Sequence, residues 1–238
     1  MTAYRILHVD DEPDIREIVD MSLGLNAEFE VRACACGADA IAMAAEWSPF
    51  LILLDVMMPG MDGPTTLKHL RQDPRTADIP VLFMTARAQE REVQQLTALG
   101  AHGVISKPFD PMTLAFSVRS HLQAIRLDSL RAVFVQRIKG DAALLAACRS
   151  SLGQNANPAT VGQIKKIAHG LAGAAGLFGF HQISSDAAAV EEAVIAGNGG
   201  KGDPSELTRA LDRLMSRMEG QREAPRMEAP RLGAQSAA

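Results

Sequence analysis

Cysteine is scarce in this sequence of 238 residues, which contains only Cys34, Cys36 and Cys148. A disulfide framework requires a larger and even set of cysteines, and a structural metal site requires several ligands at regular spacing. Three cysteines, two of them separated by a single residue, match neither pattern. The sequence therefore predicts thiols that are buried or half-buried and have no structural bond.

Long apolar runs and clusters of cationic residues are also absent. The longest apolar run, around residues 50–61, is interrupted by Asp55, and Asp10, Asp11 and Glu12 precede any apolar core of a signal peptide. The formal net charge is −4 and no stretch is rich in Lys and Arg, which argues against nucleic acid as a partner. We expect a soluble, cytoplasmic protein without membrane insertion.

Charge is distributed unevenly along the chain. Residues 1–125 contain 10 Lys and Arg against 17 Asp and Glu, whereas residues 126–238 contain 14 against 11. A chain of this length can form two modest cores. The change of sign predicts two domains, at 1–125 and 126–220. In the tail, 221–238, two EAPR repeats and the lack of an apolar period predict disorder.

The first domain alternates β-rich runs with helical patterns. The runs are YRILHV, FEVRAC, PFLILL, IPVLFM and GVIS, and a segment with helical spacing follows each of them. Parallel strands need crossover connections and are covered by helices on both faces, and the third run has the unbroken apolar character of a central strand. The pattern predicts an α/β fold with a doubly wound parallel sheet of five strands.

The second domain has an all-helical pattern. Neither Gly nor Pro occurs from Met112 to Lys139, which predicts either one long helix or two helices that meet near residues 126–129. Asn157 and Pro158 have the order of an N-cap and a first-turn proline. We predict an all-α four-helix bundle with a leading helix, with helices near residues 128–139, 141–153, 159–176, 181–196 and 204–219.

Five polar residues follow the predicted strands of the first domain. They are Asp10 and Asp11 after the first strand, Asp55 at the end of the third, Thr85 at the end of the fourth and Lys107 after the fifth. Because the carboxyl ends of parallel strands meet at one edge of the sheet, these side chains are expected to converge. Three carboxylates together favour a cation, and an all-oxygen site suits Mg²⁺. A carboxylate can also be the nucleophile of phosphoryl transfer.

The stretches HVDDEPDIRE, LLDVMMPGMDG, FMTARA and SKPFDP resemble those of response regulator receiver domains, which have a flavodoxin-like fold. The resemblance covers about residues 3–125. It implies that Asp55 is the phosphoacceptor, that Thr85 binds a phosphoryl oxygen and that Lys107 pairs with the phosphoryl group. It also implies four ligands for Mg²⁺, namely Asp10, Asp11, Asp55 and the backbone carbonyl of Met57.

Three other positions bear on this resemblance. Pro108 stands where these domains have a cis-proline, directly after Lys107. Val104 stands where they usually have Tyr or Phe, and a valine has no ring to move inward, which argues against aromatic-coupled switching. A phosphatase with an aspartyl nucleophile would carry a second Asp two residues after Asp55, and Met57 occupies that position.

One histidine of the second domain lies in an unusual setting. The segment HGLAGAAGLFGF begins at His169 and has a glycine at every third residue, although each glycine inside a helix costs roughly 0.5–1 kcal/mol relative to alanine. An apolar stripe of the same helix is expected to face the core and to direct His169 outward. The stripe consists of Val161, Ile164, Ala168, Leu171 and Ala175.

The surroundings of His169 suggest how the glycines are used. We expect the absence of side chains at Gly170 and Gly173 to let a partner approach the imidazole, and Gly176 and Gly179 to serve close packing and helix termination. Lys165 and Lys166 lie on the same side as His169 and would favour an approaching phosphoryl group. Residues 191–194, EEAV, are predicted to form a solvated face.

The segment IKKIAHGLAGAAGLFGFHQIS resembles the signature of histidine phosphotransfer (HPt) domains, and the resemblance extends over about residues 126–220. It implies that His169 is a phosphoacceptor and that the bundle docks onto receivers. Ala172 stands where these domains often have a lysine, so we assign the charge complementary to phosphate to Lys165 or Lys166.

Together these patterns predict a two-component phosphorelay protein that carries phosphate on Asp55 and His169. The sequence contains no nucleotide-binding loop of a kinase, so the phosphoryl group comes from a sensor histidine kinase or another receiver. Three possibilities stay open. They are a relay from Asp55 to His169 within or between chains, a module in which Asp55 phosphorylation regulates access to His169, and an interaction scaffold without transfer.

Overall fold

A computed structural model describes residues 3–86, 89–152, 157–198 and 204–220. The chain divides into two compact units, one ending at Arg126 and the other beginning at Leu127. The tail at 221–238, for which disorder was predicted, lies outside the described residues. Within the described ranges, no helix is both long enough and apolar enough to cross a membrane.

The first unit contains a parallel sheet of five strands in the order β2-β1-β3-β4-β5. The strands are β1 Tyr4–Val9, β2 Phe29–Cys34, β3 Leu51–Asp55, β4 Val81–Thr85 and β5 Gly103–Ser106. The connecting helices are α1 Pro13–Gly24, α2 Gly37–Trp47, α3 Gly63–Gln72 and α4 Glu90–Ala98, and α5 follows β5. This arrangement confirms the predicted α/β fold with a doubly wound sheet, in which the strand order reverses at β1.

The central strand β3 shows why the sheet is covered on both faces. Every residue of β3 is buried, and successive side chains of a strand point to opposite faces. Ile52 and Leu54 belong to one apolar cluster, whereas Leu51 and Leu53 belong to another. The unbroken apolar run in the sequence therefore reflects burial from two sides, as parallel sheets require.

The second unit is helical, and its described residues share one apolar core. Its helices are the C-terminal part of α5 Pro111–Leu152, α6 Pro158–Ala175, α7 His181–Asn198 and α8 Pro204–Gly220. All four supply buried side chains to this core, among them Ile138, Leu171, Val190 and Leu214. The predicted all-α bundle is present in this unit.

One predicted boundary is wrong. Helix α5 runs without interruption through residues 126–129 and through Gly140, so the helices expected at 128–139 and 141–153 are one helix. A single glycine in a helix costs about 1 kcal/mol, which is too little to end a helix that packs on both sides of it. Ile138 and Leu145, before and after Gly140, are both buried in the core.

Helix α6 begins and packs as predicted. The Oδ1 atom of Asn157 accepts a hydrogen bond of 3.0 Å from the backbone N–H of Ala159, and Pro158 occupies the first turn. Four residues of the predicted stripe are completely buried, and the fifth, Val161, packs against the same core. The four are Ile164, Ala168, Leu171 and Ala175. The opposite side of α6, which carries His169, is therefore solvent-facing.

The two later glycines of the segment behave differently from each other. After α6, a short 3₁₀ turn leads to Gly179, whose φ of 81° is the left-handed conformation that ends many helices. The prediction of helix termination is thus confirmed at Gly179. A side chain at Gly176 would make only ordinary contact with Ser184, at 3.6 Å, so close packing does not require that glycine.

Acid should destabilise the first unit through His121 of α5, because burial lowers the pKa of its imidazole. Below the ordinary histidine pKa near 6.5, the unfolded chain binds a proton that the folded unit resists, so stability is lost as the pH falls. His121→Gln should therefore lose less stability than the wild type between pH 7.5 and 5.5. Urea unfolding followed by the fluorescence of Trp47, the single tryptophan, measures this difference.

The exposed His69 of α3 provides the control for this experiment. His69→Gln should keep the wild-type dependence on pH. If His121→Gln and the wild type lose equal stability between the two pH values, His121 does not contribute to the acid sensitivity.

Candidate functional site

The carboxyl ends of β1, β3 and β5 bring a lysine and two aspartates into direct contact. Nζ of Lys107 lies 2.6 Å from Oδ2 of Asp10 and 2.7 Å from Oδ1 of Asp55. Asp10 follows β1, Asp55 ends β3 and Lys107 follows β5, so side chains that are 52 and 97 residues apart in sequence meet here. Thr85, at the end of the intervening strand β4, is also buried.

Backbone donors hold the remaining oxygens of both carboxylates. Oδ2 of Asp55 accepts a hydrogen bond of 3.1 Å from the N–H of Met57, and Oδ1 of Asp10 accepts one of 3.1 Å from the N–H of Glu12. Asp10 is fully buried and Asp55 is 5% exposed, so both depend on these partners in place of water. The carboxylates are therefore fixed before any ligand arrives.

Burial shapes the electrostatics of the cluster. Burial raises the pKa of the Asp55 carboxyl, and the hydrogen bond and charge of Lys107 offset only part of that effect. Burial by itself would lower the pKa of Lys107, but the hydrogen bonds from its ammonium to Asp10 and Asp55 outweigh burial and raise it. Lys107 consequently remains charged beside a carboxylate that burial makes a better proton acceptor.

A third carboxylate completes a group that could hold a cation. Asp10, Asp11 and Asp55 each offer an oxygen, and these oxygens all lie within 4.8 Å of one another. Asp11 is half-buried, so one side of the group faces solvent. Carboxylate oxygens with room for water are the ligands that Mg²⁺ prefers. The residues present therefore fit a magnesium site at this edge of the sheet.

Arg16 of α1 is a residue that sequence reasoning missed. Its Nη1 atom donates hydrogen bonds of 2.7 Å and 2.9 Å to the backbone carbonyls of Asp10 and Asp11. These bonds hold the loop that carries both carboxylates. Arg16 lies six and five residues after Asp10 and Asp11, about one turn into α1, so its side chain can reach back to their carbonyls. The spacing alone did not identify this contact.

The residues on either side of Lys107 include a cis-proline and a packed valine. The peptide bond between Lys107 and Pro108 is cis, as the resemblance implied. Val104 of β5 is partly buried and packs against the core of the sheet. A valine at this place fills space but carries no ring that could change position.

The second candidate site is formed by His169, whose side chain is 77% exposed. Its Nδ1 atom lies 3.1 Å from Oε1 and 3.3 Å from Oε2 of Glu191 on α7. The prediction that His169 points outward is therefore confirmed. Either a neutral imidazole with its proton on Nδ1 or an imidazolium can donate to this carboxylate.

Glu191 is the second residue that sequence reasoning missed. The expectation of a solvated face at 191–194 is wrong, because Glu191 binds His169 and is 23% exposed, and Ala193 and Val194 are buried. The partners are 22 residues apart and lie on different helices, so helical spacing within α6 gave no signal for this contact.

The glycines beside His169 have different neighbours. A side chain at Gly173 would meet nothing within 4 Å, which fits the expected open approach. The expectation for Gly170 is wrong, because the guanidinium of Arg137 on α5 occupies the space next to it. Lys165 and Lys166 are both exposed on α6.

The families of both parts follow from the sequence matches. Residues 6–119 match the response regulator receiver domain, and residues 130–221 match the Hpt domain. The chain carries a receiver domain followed by an Hpt domain. Both are phosphotransfer modules of two-component signalling. The receiver domain contains the acidic cluster, and the Hpt domain contains His169.

Several curated proteins are similar to this chain. The DNA-binding dual master transcriptional regulator RpaA of Synechocystis is 40% identical over 119 residues, which is 50% of this chain and 49% of that protein. The phosphate regulon transcriptional regulatory protein PhoB of Escherichia coli is 38% identical over 123 residues, 52% of this chain and 53% of that protein. The chain thus spans about half the length of these relatives.

Solved structures show a similar partial match. The structure of the chemotaxis protein CheY4 of Vibrio cholerae has 34% sequence identity with this chain and a TM-score of 0.46. The match covers 50% of this chain and 98% of the CheY4 chain.

Loss of one carboxylate should weaken Mg²⁺ binding by the receiver domain. Asp11→Asn removes a charged oxygen but leaves the contacts of Lys107 intact. We expect the dissociation constant for Mg²⁺, measured by isothermal titration calorimetry, to rise at least about tenfold. Loss of a residue that only supports a metal ligand already lowers metal affinity by about that factor.

Asp20 is an exposed carboxylate on α1 and supplies the matched control. Asp20→Asn changes the net charge equally and should bind Mg²⁺ as the wild type does. Equal affinities for Asp11→Asn and Asp20→Asn would show that Asp11 does not ligate the ion.

Proposed function

We propose that this protein is a phosphorelay intermediate in which Asp55 of the receiver domain accepts a phosphoryl group and His169 of the Hpt domain carries one. This proposal is supported by the presence of two different sites in one chain. Asp55 is buried and contacts Lys107, whereas His169 is exposed and contacts Glu191. Each domain thus presents one nucleophile in a different setting. A sensor histidine kinase and other receiver domains are the proposed partners, with no role for nucleic acid.

At the receiver domain, the proposed step transfers a phosphoryl group from a phosphohistidine to Asp55. The P–N bond of the donor breaks, a P–O bond to the Asp55 carboxylate forms, and the donor leaves as imidazole. Lys107 and Thr85 bind phosphoryl oxygens, because charge neutralisation and alignment dominate phosphoryl transfer. Bound Mg²⁺, held by Asp10, Asp11, Asp55 and the carbonyl of Met57, would supply further neutralisation of negative charge.

At the Hpt domain, Glu191 prepares His169 for nucleophilic attack. A neutral imidazole whose Nδ1–H group donates a hydrogen bond to the Glu191 carboxylate has its free electron pair on Nε2. Nε2 then attacks the phosphorus of a receiver's aspartyl phosphate, the P–O bond to that aspartate breaks, and the aspartate leaves as a carboxylate. The positive charge that forms on the imidazole ring lies beside the Glu191 carboxylate. The exposure of His169 lets the active site of a receiver reach it.

Further assignments belong to this proposal. The receiver domain spans residues 1–125 and the Hpt domain spans 126–220. Lys165, Lys166 and Gly173 contribute to docking, since both lysines are exposed and the space beside Gly173 is open. A cytoplasmic location is consistent with free thiols at all three cysteines, two of them buried.

A second candidate is that phosphorylation of Asp55 regulates access to His169, which then exchanges phosphate only with foreign receivers. The exposure of His169 fits this candidate as well as the relay, because the imidazole is open to any docking partner. Transfer would then not require that the two sites of one chain meet.

Phosphorylation of the full chain by acetyl phosphate with Mg²⁺ tests the proposal, because this donor supplies the phosphoryl group to a receiver carboxylate. Wild type, Asp55→Ala and His169→Gln are compared, and lability in alkali or acid separates acyl phosphate from phosphohistidine. The relay predicts both species in the wild type and neither in Asp55→Ala. Acyl phosphate alone, with phosphohistidine only after a phosphorylated foreign receiver is added, would support the regulatory candidate. No label on either residue would refute both.

Loss of the Glu191 carboxylate should slow phosphorylation of His169. Glu191→Ala removes the acceptor for the Nδ1 proton, and we expect a rate about five- to tenfold lower, consistent with one partly exposed charge-assisted hydrogen bond. Glu191→Gln keeps an acceptor and should retain most of the rate. Quench-flow measurement of transfer from a phosphorylated receiver gives these rates.

The neighbouring Glu192 is exposed and serves as the control. Glu192→Ala should transfer at the wild-type rate. If Glu191→Ala does so too, the contact with His169 has no part in the reaction.

A further inference from the structure

The guanidinium of Arg137 lies directly on the backbone of α6, beside the phosphoacceptor. A methyl group added at Gly170 would be only 2.7 Å from Nη2 of Arg137 and 3.9 Å from its Cζ. Nε of Arg137 is 3.3 Å from Oδ2 of Asp141, one turn further along α5. The side chain is 51% exposed, so it is held at one end and open to solvent.

Gly170 explains why the guanidinium can occupy this place. Glycine is less favourable than alanine inside a helix, and a side chain at 170 would push Arg137 away. The glycine therefore leaves space for a cation rather than for an approaching partner. Gly170 follows His169 directly in the sequence and is half-buried, with α5 beside it.

We propose that Arg137 binds the phosphoryl group at His169 and is the main cation of the Hpt site. This inference rests on the proposed function of His169. It replaces the assignment of that charge to Lys165 or Lys166 and adds a residue from a different helix. No bond to Arg137 forms or breaks; its N–H groups donate hydrogen bonds to phosphoryl oxygens.

Distance allows this contact. The Cα–Cβ bond of about 1.5 Å and the spacing of about 3.8 Å between consecutive Cα atoms place Nη2 within about 8 Å of the Cα of His169. The imidazole and a phosphoryl group extend outward from that Cα, into the solvent that Arg137 also faces. The proposed contact requires the arginine side chain to rotate from Gly170 towards Nε2 of His169.

Chemistry favours Arg137 over the other nearby cations. A guanidinium presents several N–H groups in a planar fork that matches two phosphoryl oxygens, whereas an ammonium acts as a point charge. Ala172 stands where Hpt domains often have a lysine, so this turn of α6 has no positive charge at that position. Arg137 from α5 would supply it.

Four variants of the full chain separate this role from effects on folding. Arg137→Ala removes the cation, and Arg137→Lys keeps the charge without the fork. Lys139→Ala is the matched control, because Lys139 is an exposed cation on the same helix, two residues away and on another side. Gly170→Ala displaces the guanidinium but should raise the midpoint of thermal unfolding, since alanine favours a helix.

Two measurements are made after labelling with phosphoramidate, which phosphorylates imidazole nitrogen directly. The first is the rate at which phosphohistidine appears, and the second is the midpoint of the pH titration of its ³¹P signal. Glu191, Lys165 and Lys166 are unchanged in every variant. We expect Arg137→Ala to slow labelling about three- to tenfold and to raise the titration midpoint by about half a pH unit.

The other variants sharpen the expected result. Arg137→Lys should have a titration midpoint close to that of the wild type, and Lys139→Ala should match the wild type in both measurements. Gly170→Ala should be labelled more slowly than the wild type although its folded state is more stable. If phosphohistidine forms and Arg137→Ala labels and titrates as Lys139→Ala does, this inference is overturned and the proposed function stands. If the wild type forms no phosphohistidine, the proposed function fails, and this inference fails with it.

Discussion

The ammonium of Lys107, placed between the carboxylates of Asp10 and Asp55, is the contact on which the receiver site depends. Both carboxylates are nearly inaccessible to water, and an unpaired buried charge is expensive. Removing one partner of a buried ion pair typically costs about 3–5 kcal/mol. The parallel order of the strands makes the pairing possible, because it puts the ends of β1, β3 and β5 at one edge of the sheet. The fold thus concentrates negative charge where a lysine can balance it.

The two proposed nucleophiles lie in opposite settings. Asp55 is buried and held by a lysine and a backbone N–H before a donor arrives, whereas His169 stands on an exposed helix face with one carboxylate behind it. A buried, preorganised site stabilises a charged transition state at little reorganisation cost. An exposed nucleophile instead needs a partner to supply most of that environment. In the proposed relay, the receiver domain would therefore support the chemistry and the Hpt domain would present the phosphoryl group.

Local patterns predicted most of the elements because burial leaves a periodic trace in sequence. The apolar run of β3 and the stripe of α6 were both confirmed, since each reflects direct contact with a core. The boundary near Gly140 was predicted wrongly because a local cost of about 1 kcal/mol competes with packing along the whole of α5. The contacts of Arg16, Glu191 and Arg137 gave no such trace. Each involves a polar side chain that reaches a neighbouring element.

The sequence by itself determined the strand and helix order and the convergence of Asp10, Asp55 and Lys107. Strand ends in a parallel sheet must meet at a shared edge, so their positions in the chain are sufficient. Only the tertiary structure decided what surrounds His169. Glu191 and Arg137 come from α7 and α5, and their contacts depend on how those helices pack against α6. Spacing within one helix specifies which face a residue occupies, but the side chain that meets it there is specified by packing between helices.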